Sequence, residues 1–303
     1  MSSFVVVLVG AAFFVGAAQS SAHAQTPVKE PVIDRAPQRV MFDRDATITG
    51  HLENGTPGDE VALERRVGDG GWTQIRIQAV DADLKVRFNT RVLRRSSYFR
   101  LTYTDPASAA QTVSDARRVA VVPRLSLQLS SRNVMQGYGV TLWGRLLPVE
   151  AGRSVRVEQR VSGEWRTMER LKLRDGRFEM RFEARRKGFR RLRVVFGGDS
   201  HNTPTRRGVT YRVYSRALAT WYGPGFYGNS TACGQRLTTE TLGVAHRWLP
   251  CGTMVAVLYQ GRTIKVPVID RGPYSRADWD LTQETAERLR FSGTDTIGVD
   301  PAP

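Results

Sequence analysis

The residues with the most chemical reach lie in the last quarter of the chain. Asp270 ends the apolar run Val268-Ile269 and precedes Arg271-Gly272-Pro273, so its carboxyl faces a turn at the end of a strand. A carboxyl held protonated by burial or by a neighbouring carboxylate can deliver a proton to a leaving oxygen, which is what cleavage of a glycosidic bond needs. Asp270 is therefore the candidate acid/base, against the competing roles of turn cap or ion-pair partner of Arg271. His246 can hold substrate or tune a carboxyl, or can be a hydrogen-bonded structural histidine. Asp280 reads rather as stabilising the turn before a helix, with Asp278 and Asp280 the next carboxylates in line should Asp270 not be the acid. Trp221, Tyr222, Phe226 and Tyr227 cluster within seven residues. Flat rings of this kind cover the apolar face of a pyranose, so at least two of the four are expected to line a groove rather than fill a core.

Other chemistries are excluded by pattern. Gly223-Pro224-Gly225-Phe226-Tyr227-Gly228 fits a dinucleotide fingerprint in letters only, because Pro224 removes a backbone donor and Asn229-Ser230-Thr231 is a poor helix start. Four scattered histidines and two cysteines offer no metal-ligand spacing. Neither metal nor cofactor is expected.

The elements that must position these groups are short strands. Thr253 to Leu258 and Arg262 to Ile269 are β-rich runs joined by Tyr259-Gln260-Gly261, a hairpin signal. Pro267 lacks a ladder donor and belongs at an edge or bulge. Thr282 can cap a helix from about Gln283 to Leu289, with Glu284 and Glu287 ahead of Arg288 and Arg290 as the helix dipole prefers. Together they predict a compact β-barrel with one short helix.

Four blocks in order carry a resemblance over about 80 residues. They are Thr220-Trp221-Tyr222-Gly223 through Thr231-Ala232-Cys233-Gly234-Gln235, Ala245-His246 through Leu249-Pro250-Cys251-Gly252-Thr253, Val268-Ile269-Asp270-Arg271-Gly272-Pro273, and Asp280-Leu281-Thr282. The segment from about Ala217 to Val299 resembles the double-psi β-barrel domain of the rare lipoprotein A family, which acts on bacterial cell-wall glycans. The resemblance implies a six-stranded pseudo-symmetric barrel with a groove for an extended polysaccharide, whose relatives include expansins. It places Asp270 on the family's essential aspartate and His246 on its histidine, with Arg271 beside them among the substrate-binding candidates. Gln235 stands where the family has glutamate. An amide can hold a sugar hydroxyl but cannot trade a proton. A lytic transglycosylase can manage with one carboxyl, since the substrate's own 6-hydroxyl attacks and no water is activated. The expected function is peptidoglycan glycan-strand cleavage of that type; the alternative is a non-catalytic, expansin-like glycan-binding module.

The remaining chain is organised by a repeat of about 94 residues. Thr47-Ile48-Thr49-Gly50-His51-Leu52 matches Thr141-Leu142-Trp143-Gly144-Arg145-Leu146, and the run Val61 to Val67 matches Val155 to Val161. Each copy alternates apolar and polar residues, as in Arg177 to Glu183, which predicts strands with one buried face. Both copies resemble bacterial immunoglobulin-like domains, and Phe196-Gly197-Gly198-Asp199 is similar to an ending common there. The expected architecture is all-β: sandwiches over 25–121 and 122–215, then the barrel over 216–303.

Charge is uneven. Of the formal net +16, residues 122–215 carry 21 Lys and Arg against 8 Asp and Glu, while the flanking units are near balance. Such a surface attracts an anionic wall polymer by long-range, salt-sensitive forces. Nucleic acid is not expected, because Met1 to Ala24 reads as a signal peptide: Phe4 to Ala18 is apolar and Ala22-His23-Ala24 is a small-x-small cleavage signature. That run is shorter than the roughly 20 residues of a membrane span, and no later stretch replaces it. A secreted or wall-associated chain meets an oxidising compartment, so Cys233 and Cys251 are expected to pair.

Overall fold

The computed structural model describes Met1 and residues 27–301; the signal-peptide reading falls almost wholly outside the described residues. The first sandwich comprises β1 (Glu30–Arg35), β2 (Arg39–Met41), β3 (Thr47–Glu53), β4 (Glu60–Val67), β5 (Thr73–Ala79), β6 (Lys85–Asn89), β7 (Ser97–Thr104), β8 (Gln111–Val113) and β9 (Arg117–Val122). The second follows with β10 (Arg124–Leu129), β11 (Asn133–Met135), β12 (Gly139–Leu147), β13 (Ser154–Val161), β14 (Glu164–Lys172), β15 (Arg177–Glu183), β16 (Gly188–Phe196) and β17 (Thr205–Tyr222). The two share one topology. A three-stranded sheet, β1-β3-β6 or β10-β12-β15, faces a larger one, β2-β9-β7-β4-β5 or β11-β17-β16-β13-β14, and in each copy one pair, β2 with β9 or β11 with β17, is parallel.

The repeated glycine of the two copies has a packing cause. A Cβ on Gly50 would lie 2.2 Å from the Val32 carbonyl oxygen, and one on Gly144 would lie 2.1 Å from that of Ser126. On either side of them Ile48 and Leu52, or Leu142 and Leu146, are fully buried, which gives the Thr-x-x-Gly-x-Leu pattern its meaning: apolar side chains inward, backbone contact at the glycine.

β17 is 18 residues long and belongs to two units. Its first half closes the second sandwich against β16; its second half opens the C-terminal unit, completed by β18 (Val244–Ala245), β19 (Met254–Tyr259), β20 (Arg262–Asp270), β21 (Trp279–Thr282), helix α1 (Gln283–Leu289) and β22 (Asp295–Pro301). Hydrogen bonding runs β17-β21-β18-β20-β19-β22 and returns to β17, so six strands close into a barrel with no free edge. The stretch around Ser215, a natural joint by sequence, is a point inside one continuous strand. Tyr214, Ala256 and Leu258 are buried beside Met135 there, and Arg212 bonds Asp300 at 2.6 Å, so the second sandwich and the barrel are docked.

The local expectations for the barrel hold. Gln260 and Gly261 both take positive φ between β19 and β20, as a two-residue hairpin requires. Thr282 caps α1 through its side chain, which accepts the Thr285 N–H, and Arg288 pairs with Glu284 one turn earlier. Pro267 sits in an interior strand rather than at an edge, one residue before the irregularity at which Val244 registers with Val268 and Ala245 with Asp270. The Val268 N–H points to β19, so the Pro267 nitrogen faces the other way, one residue before two-residue β18 begins its pairing at Val268. The missing donor therefore leaves no ladder bond unmade.

Candidate functional site

Two carboxylates flank a two-residue strand of the barrel. Ala245 of β18 registers against Asp270 of β20 on one side and against Asp280 of β21 on the other. β18 is held in place by the helix start: the Thr282 and Thr285 hydroxyls donate to the Gly243 carbonyl at 3.2 and 3.0 Å, and the Gly243 N–H donates to the Thr285 hydroxyl at 3.0 Å.

Asp280 lies on the opposite side of β21 from Trp279 and Leu281, which fill the core. Thr220, its register partner on β17, donates a hydroxyl to Asp280 at 2.8 Å. Burial, with the charge of Asp270 adding to it, outweighs that bond and pushes the Asp280 carboxyl up to about 6. Asp270 is oriented differently: its Oδ1 accepts the N–H groups of Ala232 and Arg271, each at 2.8 Å. The Tyr222 hydroxyl is buried, with Asp270 and Asp280 as its charged neighbours. Burial and the charges of both aspartates drive its acidity well down, so it remains a proton donor.

His246 Nδ1 accepts the backbone N–H groups of Trp248 and Leu249, both at 3.1 Å, and its ring leans on Trp279 at 4.3 Å. Burial, then the positive charges of Arg247 and Arg271, lower its pKa. It is thus a neutral imidazole near pH 7, with Nε2 carrying the remaining proton.

The loops around these groups brace one another. Arg271 donates to the carbonyls of His246 and Leu249, while Arg247 donates back to those of Pro273, Ser275 and Ala277 at 2.6 to 2.8 Å. Arg271, a substrate-binding candidate by sequence, thus spends donors on its own fold. Cys233 and Cys251 are bonded, Cα to Cα 5.7 Å, and tie the Thr231–Gln235 turn to the loop before β19. That turn closes through Thr231 N–H to the Gln235 carbonyl at 2.7 Å and leaves Gln235 exposed beside the segment that bonds Asp270.

Of the four aromatics, Trp221 and Phe226 present exposed rings. Tyr222 lies edge-on to Phe226 at 6.3 Å, and the Tyr227 hydroxyl is bonded to Gln283. Two exposed rings escaped sequence reasoning, Trp248 at 83% and Tyr274 at 86%. Both sit on the arginine-braced loops; an aromatic two places after His246 or Gly272 was the available signal. Asp278 is tied to Leu218 through both its own N–H and its carboxylate, a structural position. Among the described residues no three His, Cys, Asp or Glu are grouped to hold a metal.

Residues 214–300 match the family model described as "Lytic transglycolase". The C-terminal unit is an RlpA-like double-psi β-barrel domain. The similarity extends to a probable endolytic peptidoglycan transglycosylase RlpA of Aquifex aeolicus, 44% identical over 79 residues, 25% of this chain and 35% of the relative. One from Synechocystis is 48% identical over 97 residues, 30% of each chain. The endolytic peptidoglycan transglycosylase RlpA of Campylobacter jejuni is 35% identical over 85 residues, 27% of this chain and 31% of the relative. This chain therefore spans about a third of the length of the relatives it matches, and the two sandwiches lie outside the matched family region.

Proposed function

We propose that this chain is an extracytoplasmic wall-remodelling enzyme whose RlpA-like barrel cleaves peptidoglycan glycan strands by lytic transglycosylation. The observation that carries the reading is the Asp270–Asp280 pair, in which one carboxyl keeps its proton up to a pH of about 6. Asp280, with its carboxyl raised by burial, then has the property that a general acid needs. It gives its proton to the glycosidic oxygen as the C1–O bond breaks, while the carboxylate of Asp270 faces the positive charge developing at C1. The sugar's own 6-hydroxyl attacks C1 and returns its proton to Asp280, closing an anhydro ring without water. His246, through Nε2–H, and the exposed Gln235 amide position the strand, and Trp221 and Phe226 stack its sugars. One regenerated carboxyl suffices for this cycle, which is why Gln235 does not forbid it.

The sandwiches serve as wall-binding spacers, with the basic unit, 122–215, holding anionic wall polymer. A wall location agrees with the names of the relatives, and among the described residues no helix is long and apolar enough to cross a membrane. The test is digestion of purified sacculi by the full chain with mass analysis of products. Anhydro-ended fragments support the reading. Binding to sacculi without any release favours the second one, a glycan-binding module, which the exposed amide at Gln235 in place of the family's glutamate supports.

A further inference from the structure

The duplicated sandwiches provide an internal comparison. On the outward face of β3 and β6 in the first copy, Thr49 registers with Arg87 and His51 with Lys85; at the matching places in the second copy, Trp143 registers with Glu179 and Arg145 with Arg177. The first face is closed by its own charges, since His51 bonds Asp34 at 2.7 Å and lies 3.8 Å from Glu53. The second is open. Trp143 and Arg145 alternate with the buried Leu142 and Leu146, so both point to solvent, and with Lys172, Arg174 and Arg177 they line a cleft of about 680 Å³. None of these four cations is in an ion pair among the described residues. Arg174 and Arg177 are fixed at the two ends of an Asp175-Gly176 turn by paired backbone hydrogen bonds.

We infer that this face of the second sandwich is a binding site for an acidic glycan, with a pyranose ring stacked on Trp143 and its carboxylate substituents on Arg145, Arg177, Lys172 and Arg174. An indole beside unpaired guanidinium and ammonium groups suits a ligand that is flat and apolar on one side and anionic at its edge. Gln128 and Glu179, which flank Trp143 across the sheet, supply acceptors and donors for ring hydroxyls. The site rests on reading the middle unit as the wall-binding part, and makes that reading specific: ring and charge are recognised together on one sheet, and the first sandwich lacks the site.

The test measures affinity of the full chain for three probes: solubilised peptidoglycan strands, poly(glycerol phosphate), which has charge without a ring, and chitohexaose, which has the ring without charge. All variants keep the barrel intact, so differences between them report the sandwich alone. Trp143→Ala should weaken strand binding about ten-fold and leave poly(glycerol phosphate) unchanged, the size expected of one lost aromatic contact. Arg177→Glu, which spares the tryptophan and covers the case in which Trp143→Ala fails to fold, should weaken both anionic probes but not chitohexaose. His51→Ala in the first copy should change nothing. If Trp143→Ala folds and binds strands like the parent while salt still releases them, the site is wrong and the diffuse electrostatic reading stands. If the parent binds neither anionic probe, both fail.

Discussion

Asp270 and Asp280 register against the same residue, Ala245, from opposite sides, and burial raises the Asp280 carboxyl to about 6. That assignment has a stability signature. The folded state favours the protonated carboxyl, so its contribution is fully present below the ordinary aspartate range and is lost as pH rises to about 6 and beyond. Asp280→Asn removes the titration. The variant should gain on the parent by about 1 to 2 kcal/mol between pH 4 and pH 7.5, a figure reduced for partial exposure. Urea unfolding at the two pH values measures this, and an equal offset at both would locate the raised group elsewhere.

Thr220 acts in the opposite direction to burial, since its hydrogen bond lowers the Asp280 pKa. In Thr220→Val the carboxyl should hold its proton longer. The alkaline limb of the pH–rate profile should then move upward, by as much as about one pH unit. A limb that stays put or moves down would dissociate Thr220 from the acid.

The disulfide should support the site through the turn that carries Ala232. Cys233→Ser with Cys251→Ser opens a loop of sequence separation 18 and should cost about 3 kcal/mol in the chain-entropy model. The strand-binding affinity should fall with it, because the Ala232 N–H that orients Asp270 is then less constrained. Free thiols titrated in the unfolded, unreduced parent would refute the pairing.

Arg247 donates to three carbonyls of the 273–277 loop, with both of its contacting nitrogens engaged. Arg247→Ala leaves those carbonyls to water and should lower the melting temperature by several degrees, with the effect on KM exceeding that on kcat because the loop carries Tyr274 and not the aspartates. A kcat loss with KM unchanged would assign Arg247 to the chemistry itself.

Much of this was legible in the chain because it was local. The hairpin at Gln260-Gly261, the Thr282 cap and the alternation around Phe178 each depend on neighbours within a few residues, and the repeat is visible as letters. What sequence could not supply depends on register between distant strands. Asp280 reads as a turn residue until Thr220, sixty residues earlier in the chain, is laid beside it and both are covered; desolvation has no local sign. Arg271 beside Asp270 suggested a substrate contact or an ion pair, yet its donors end on carbonyls 22 and 25 residues away. The continuity of β17 through Ser215 was hidden for the same reason: a strand that serves two sheets has no break in composition to show where one ends.

The most direct test of the account is the release of anhydro-sugar ends from purified sacculi by the parent, Asp280→Asn and Asp270→Asn, measured by mass analysis from pH 4.5 to pH 8. The parent should release them with a rate that falls as pH rises through about 6. Asp280→Asn should lose about 10² to 10⁴-fold while still binding strands, because the amide keeps the shape and lacks the proton. Asp270→Asn should be slower than the parent yet keep an alkaline limb, moved to lower pH, since Asp280 still titrates but no longer feels the charge of Asp270. Undiminished release by Asp280→Asn, with the limb near pH 6 intact, would contradict the assignment and return the acid's role to Asp270.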